Sequence, residues 1–158
     1  MAEHSHEPIS FLAVLPDPVD RDSLSAIIRH SNWKLDFAKT YEEARTALRR
    51  ADTGPIVTEC CLPGGLGWRD LLRLGTALDT PPPIIVTDRL ADERLWAEVL
   101  NEGGYDVIMK PFEPEEVFHV VGYAWRTYRD RAGRLTRRKP EIAAAVPFAR
   151  SRYAGLGS

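Results

Sequence analysis

Five short apolar runs, each followed by a stretch of helical periodicity, limit what this chain can fold into. Phe11-Leu12-Ala13-Val14-Leu15, Trp33 to Ala38, the run that opens at Ile56-Val57-Thr58, Ile84-Ile85-Val86 and Val107-Ile108-Met109 read as strands. The first is continuous rather than alternating, the mark of a central parallel strand covered on both faces. Helices are expected from about Val19 to His30, after Thr40, from Trp68 to Leu78, from about Ala91 to Glu102 and from near Pro114. Thr40-Tyr41-Glu42-Glu43 has the spacing of a capping box, and Pro114 sits at a tolerated first-turn position. Strands alternating with helices predict an α/β fold, a doubly wound sheet with short right-handed crossovers.

Three of the runs end in polar residues. Ile56-Val57-Thr58 runs into Glu59 ahead of the Pro63-Gly64-Gly65 turn, Ile84-Ile85-Val86 into Thr87 and Asp88, and Val107-Ile108-Met109 into Lys110-Pro111-Phe112. Ligands sit at the carboxyl ends of strands in an open parallel sheet. One carboxylate, one hydroxyl and one ammonium are thus expected to converge on one edge.

The order strand, Glu59, Pro63-Gly64, strand-Thr87, then Gly103-Gly104-x-Asp106-x-x-x-Lys110-Pro111-Phe112 resembles the receiver domain of bacterial response regulators, the CheY-like superfamily, over roughly residues 9 to 130. The resemblance implies a flavodoxin-like (βα)5 three-layer sandwich, sheet order 2-1-3-4-5, and a place in two-component or phosphorelay signalling. It also implies roles. Glu59 stands where the family has its phosphoacceptor Asp, Thr87 and Lys110 stand where the phosphoryl oxygens are gripped, and Leu15 and Pro16 stand where two acids hold the divalent cation. Val107 stands where an aromatic switch residue is found, with Tyr105 two residues too early to replace it.

These departures imply an atypical receiver, a pseudo-receiver that works as a phosphorylation-independent protein-interaction module. No cofactor is expected, and magnesium is not expected to bind: Asp17 with Glu59 could supply an acidic pair, but Asp17 is one step further along the loop and Glu59 is one methylene longer than Asp. A salt bridge between Glu59 and Lys110 is the natural use of both; it either locks an active-like state or fills a decayed pocket. In the family, helix four, strand five and helix five form an output face. Trp96, Phe118 and Trp125 are its candidate anchors here, for a histidine kinase or other signalling protein or for a homodimer, unless they tuck against the tail or the helix rim. Two other readings stay open: a phosphoryl-accepting regulator using Glu59 or another acid with an unusual metal site, and a nucleic-acid-contacting regulator.

The last reading rests on charge. Residues 126–158 carry nine Lys/Arg against two Asp/Glu, so a chain of net charge -2 divides into an acidic body and a basic end. The expected organisation is a disordered lead over 1–8, a receiver-like domain over 9–134 and a basic, weakly ordered tail over 135–158, where Arg137-Arg138-Lys139-Pro140 breaks the helix. Nucleic-acid affinity through that tail is expected to be weak. No enzyme is expected, because there is no Ser/His/Asp set, metal cluster or phosphate-cradling loop; His4 and His6 lack a third ligand. No apolar run approaches membrane-spanning length, so a cytoplasmic protein is expected. Cys60 and Cys61 are adjacent, on opposite faces of a strand end, and are read as packing residues in a reducing compartment.

Overall fold

The computed structural model describes residues 7–50 and 53–138. Strands β1 (Ser10–Val14), β2 (Lys34–Ala38), β3 (Ile56–Glu59), β4 (Ile84–Asp88) and β5 (Asp106–Met109) alternate with helices α1 (Pro18–Ile28), α2 (Tyr41–Arg49), α3 (Trp68–Thr76), α4 (Glu93–Asn101) and α5 (Pro114–Arg138). The strands form one sheet in the order β2-β1-β3-β4-β5, with every pairing parallel. This is the expected doubly wound architecture.

Alternation along the strands divides the core into two layers. Phe11, Ala13 and Leu15 face one side with Val57, Ile85 and Ile108, under Leu24 and Ile28 of α1 and Val117, Val121 and Ala124 of α5. Leu12, Val14, Ile56, Ile84 and Val86 face the other, under Ala44 and Leu48 of α2, Trp68 and Leu71 of α3 and Val99 of α4. Removing this apolar surface from water on both faces is the dominant stabilising term.

Side-chain caps fix the helix starts. Asp17 accepts from the Val19 amide at 2.9 Å, Thr40 from Glu43 at 3.2 Å, and Asp92 from Leu95 at 2.9 Å. The Asp92 cap starts α4 two residues later than the apolar pattern alone suggests. The acidic arm of the predicted capping box reaches one residue further, to the Lys39 amide at 2.7 Å from Glu43. Gly54, in the turn before β3, has φ +72°, and a Cβ there would lie 2.0 Å from the Ser10 carbonyl oxygen.

At the carboxyl end α5 runs to Arg138, past the expected domain boundary at 134 and into the Arg137-Arg138-Lys139-Pro140 stretch expected to break it. Arg137 and Arg138 are good helix formers. The rest of the basic tail lies outside the described residues, as does most of the lead. Glu7, assigned to that lead, pairs with Arg129 at 2.8 Å. Among the described residues no helix is long and apolar enough to cross a membrane.

Candidate functional site: a lysine held between two carboxylates

The ladder aligns the polar strand ends. Glu59 pairs with Thr87 in the β3–β4 register, and Asp88 pairs with Met109 in the β4–β5 register, so that Lys110 follows directly at the same edge. The Lys110 ammonium donates to Glu59 Oε2 at 2.5 Å and to Asp20 Oδ2 at 2.8 Å. The salt bridge expected between Glu59 and Lys110 is present, and it has a third member. Lys110 and Asp20 are both buried, at 9% and 7% exposure, while Glu59 is half-buried.

Burial pushes the Glu59 carboxyl up; the hydrogen bond and charge of Lys110 pull it back only in part, so it titrates above its usual 4.5. For Lys110, burial pushes the ammonium down, but the hydrogen bonds and charges of Asp20 and Glu59 together outweigh it and carry the group above its usual 10.5. The ammonium is therefore charged throughout the neutral range.

Asp20 was not among the residues singled out from sequence. It reaches the site because the Asp17 cap and Pro18 start α1 at the sheet edge, which turns its first inward position toward Lys110. The signal was present: Asp20, Leu24 and Ile28 are spaced by four and are the buried residues of α1, so a carboxylate stands on an otherwise apolar stripe. An acid in the first turn also faces the positive end of the helix dipole.

Thr87 stands beside Glu59 in the ladder, fully buried, and its hydroxyl oxygen has no hydrogen-bond partner among the described residues. The predicted grip position is thus occupied, but the hydroxyl does not join the Lys110 cluster. Leu15 is fully buried in the core, and Pro16 lines the cleft. Arg21 donates to the carbonyl oxygens of both at 2.8 Å, tying the loop down.

The residues do not fit a magnesium ion. Asp17 is occupied in capping α1 and lies 4.0 Å from the Arg89 guanidinium; Asp88 accepts from the Leu90 amide at 3.1 Å; Asp20 and Glu59 share Lys110. Among the described residues no trio of His, Cys, Asp or Glu is placed to hold a metal.

Away from the cleft, the structure separates the three candidate anchors. Trp96, half exposed, borders a groove between α4 and α5 with Val107, Met109 and Glu116. Phe118 and Trp125 lie on the opposite flank of α5. Phe118 meets the Trp33 ring edge-on at 4.9 Å, and Trp125 packs beside Tyr128 at 6.1 Å with the Arg129 guanidinium 5.6 Å over its ring. Their seven-residue spacing puts them on one face; Trp33, just before β2, claims Phe118 for that side. Half-exposed Met109 takes their place beside Trp96. Val107, at the switch position, packs against the α3–α4 side of the core, whereas Tyr105 packs on the other side, under α5. The cysteines divide: Cys60 is partly buried, with burial and then the neighbouring Cys61 pushing its thiol up to about 12, while Cys61 is exposed at the rim of the cleft and corrects the expectation of packing.

Residues 12–122 match the response regulator receiver domain family. The "Probable transcriptional regulatory protein TcrX" of Mycobacterium tuberculosis is 31% identical over 111 residues, covering 70% of this chain and 47% of that relative. The chain thus spans about half the length of the relative it matches. Full-length FixJ from B. japonicum superimposes with a TM-score of 0.68 at 24% identity, covering 78% of this chain and 61% of that one. The receiver domain of sensor histidine kinase PA1611 from Pseudomonas aeruginosa PAO1, whose structure has a magnesium ion coordinated in the active site cleft, gives 0.65 at 22% identity, covering 75% and 98%. At those identities the two structures show a shared fold, and the family match over most of the sandwich shows the lineage: this chain belongs to the response regulator receiver domain family of two-component signalling.

Proposed function

We propose that the chain acts as a phosphorylation-independent receiver, a protein-interaction module that needs neither phosphoryl transfer nor a cofactor. The observation that supports this most strongly is the end of β1, where buried Leu15 and Pro16 offer no side-chain oxygen and Glu59 is already committed to Lys110. Phosphoryl transfer depends on positioning and charge neutralisation, and a displaced carboxylate without a divalent cation loses both. Glu59 supplies one negative charge and two acceptor oxygens where a phosphoryl group would bring about two charges and three oxygens. Intact-mass spectrometry after incubation with a small phosphodonor and magnesium should show unmodified protein. A phosphoryl adduct on Glu59 would establish a phosphoryl-accepting regulator instead.

Recognition in this reading runs through the α4–α5 groove, where Trp96 and Met109 expose apolar surface beside Glu116. Buried aromatic anchors carry most of the energy of an interface. Trp96→Glu should weaken self-association, or binding of a histidine kinase or other signalling partner, by roughly tenfold or more while the circular dichroism stays native. Trp125→Glu should instead destabilise the fold, because that ring packs against the body. Loss of binding by a folded Trp125→Glu, with Trp96→Glu unaffected, would place the interface on the other flank of α5.

A further inference from the structure

We propose that the cation of this site is carried by the chain itself: Lys110 occupies the place between Asp20 and Glu59 that a divalent ion would need, and Asp20 is the residue that keeps it there. The inference rests on the reading of the pocket as phosphorylation-independent and extends it from a loss of acids to an exchange of cations.

The change at the end of β1 alone would leave Lys110 with one carboxylate partner, Glu59. A one-to-one pair at a strand end can open, because each member also has water to turn to. Asp20 alters this. It brings a second carboxylate from α1, at 7% exposure, with Oδ2 2.8 Å from the ammonium nitrogen, within the range of charge-assisted hydrogen bonds. The acid missing from the loop is thereby replaced by one a helical step further in.

Two carboxylates around one ammonium leave the trio with a residual negative charge, which holds the cation more firmly than a neutral pair would. A divalent ion entering here would have to displace an ammonium that is covalently tethered and already desolvated, and would itself have to shed tightly held water. The nearby acids offer little help, since Asp17 and Asp88 are engaged with the Val19 and Leu90 amides. Asp20 thus determines which cation the site accepts.

Manganese tests this directly, because carboxylate sites accept it and free Mn2+ is read by electron paramagnetic resonance. The full chain is titrated with MnCl2 as wild type, as Lys110→Met and as Lys110→Met/Asp20→Asn. Wild type should show no saturable binding. Lys110→Met should bind one ion with a Kd on the order of 1 mM, the weak range for a site with few carboxylates, and the double variant should lose most of that affinity. Should Lys110→Met fail to fold, recovery of its circular dichroism with MnCl2 but not with NaCl of equal ionic strength supports the proposal, and no recovery overturns it. Saturable binding by the wild type, or none by a folded Lys110→Met, also overturns it. Wild-type protein that binds Mn2+ yet stays unmodified by phosphodonors would sink this inference alone. A phosphoryl adduct without Mn2+ affinity would sink the functional reading and leave the resident cation standing.

Discussion

Lys110→Met should be the most damaging substitution at the site, lowering stability by about 3 to 5 kcal/mol, the range for stripping one partner from a buried ion pair. Lys110 is 9% exposed and its ammonium serves two acids, so its loss leaves Asp20 and Glu59 facing each other with uncompensated charge. In a domain of this size the midpoint of thermal unfolding should fall by roughly 10 °C. Adding Asp20→Asn to Lys110→Met should recover part of the loss, because it removes one of the stranded charges; a double variant no more stable than the single would show that the three groups are not coupled.

The pH dependence has a definite sign. Glu59 is raised above 4.5 in the folded protein, so the fold binds its proton more tightly than the unfolded chain does. Its favourable contribution is complete below 4.5 and is lost as pH rises through the folded value. Glu59→Gln should flatten stability in that mildly acidic window. Lys110, raised above 10.5, contributes stability that is complete below that value and is lost as pH climbs through its folded value. Lys110→Met should therefore abolish an alkaline loss of stability that the wild type shows.

Gly54→Ala should be comparably severe, costing roughly 4 kcal/mol or more, in the tail of single-substitution effects. Two causes add. The backbone at φ +72° disfavours any side chain, and the new Cβ would lie 2.0 Å from the Ser10 carbonyl oxygen and 3.0 Å from the Trp125 ring. Neither neighbour moves cheaply, since Ser10 opens β1 and Trp125 is wedged on α5. Gly64→Ala isolates the first cause, because Gly64 has φ +84° with open space around it; it should lose only about 1 kcal/mol. Urea denaturation of both variants decides, and equal losses would show that the close approach to Ser10 costs nothing.

The fold was largely legible because both of its determinants are local. The strands are apolar runs of four or five residues, β-branched in β3 and β4, and α1, α2 and α4 carry side-chain caps, so pattern places the elements within a few positions. The edge bearing Glu59, Thr87 and Lys110 followed from the same pattern, since parallel strands deliver their carboxyl ends to one side. Long-range choices were less legible. Asp20 meets Lys110 across ninety positions of sequence, and its only advertisement is a carboxylate on an apolar helical stripe. Phe118 and Trp125 share a face, as their spacing requires, but which flank that face meets depends on Trp33, a residue just ahead of β2. The persistence of α5 to Arg138 rests on the intrinsic helix preference of residues such as Leu135, Arg137 and Arg138.

That persistence gives α5 a mechanical character. Tyr128 is buried, and ten further residues carry the rod onward, for a total length of about 37 Å at 1.5 Å per residue. The rod begins four residues after Lys110, at the edge where the charges meet, and is far longer than the strands of four or five residues beside it. Its near end is pinned beside the ion cluster, and its midpoint bears on the body through Ala124 and Tyr128. Such a rod is a lever. A tilt of roughly ten degrees about the last packed turn at Tyr128 would sweep the far end, about 15 Å on, through about 3 Å.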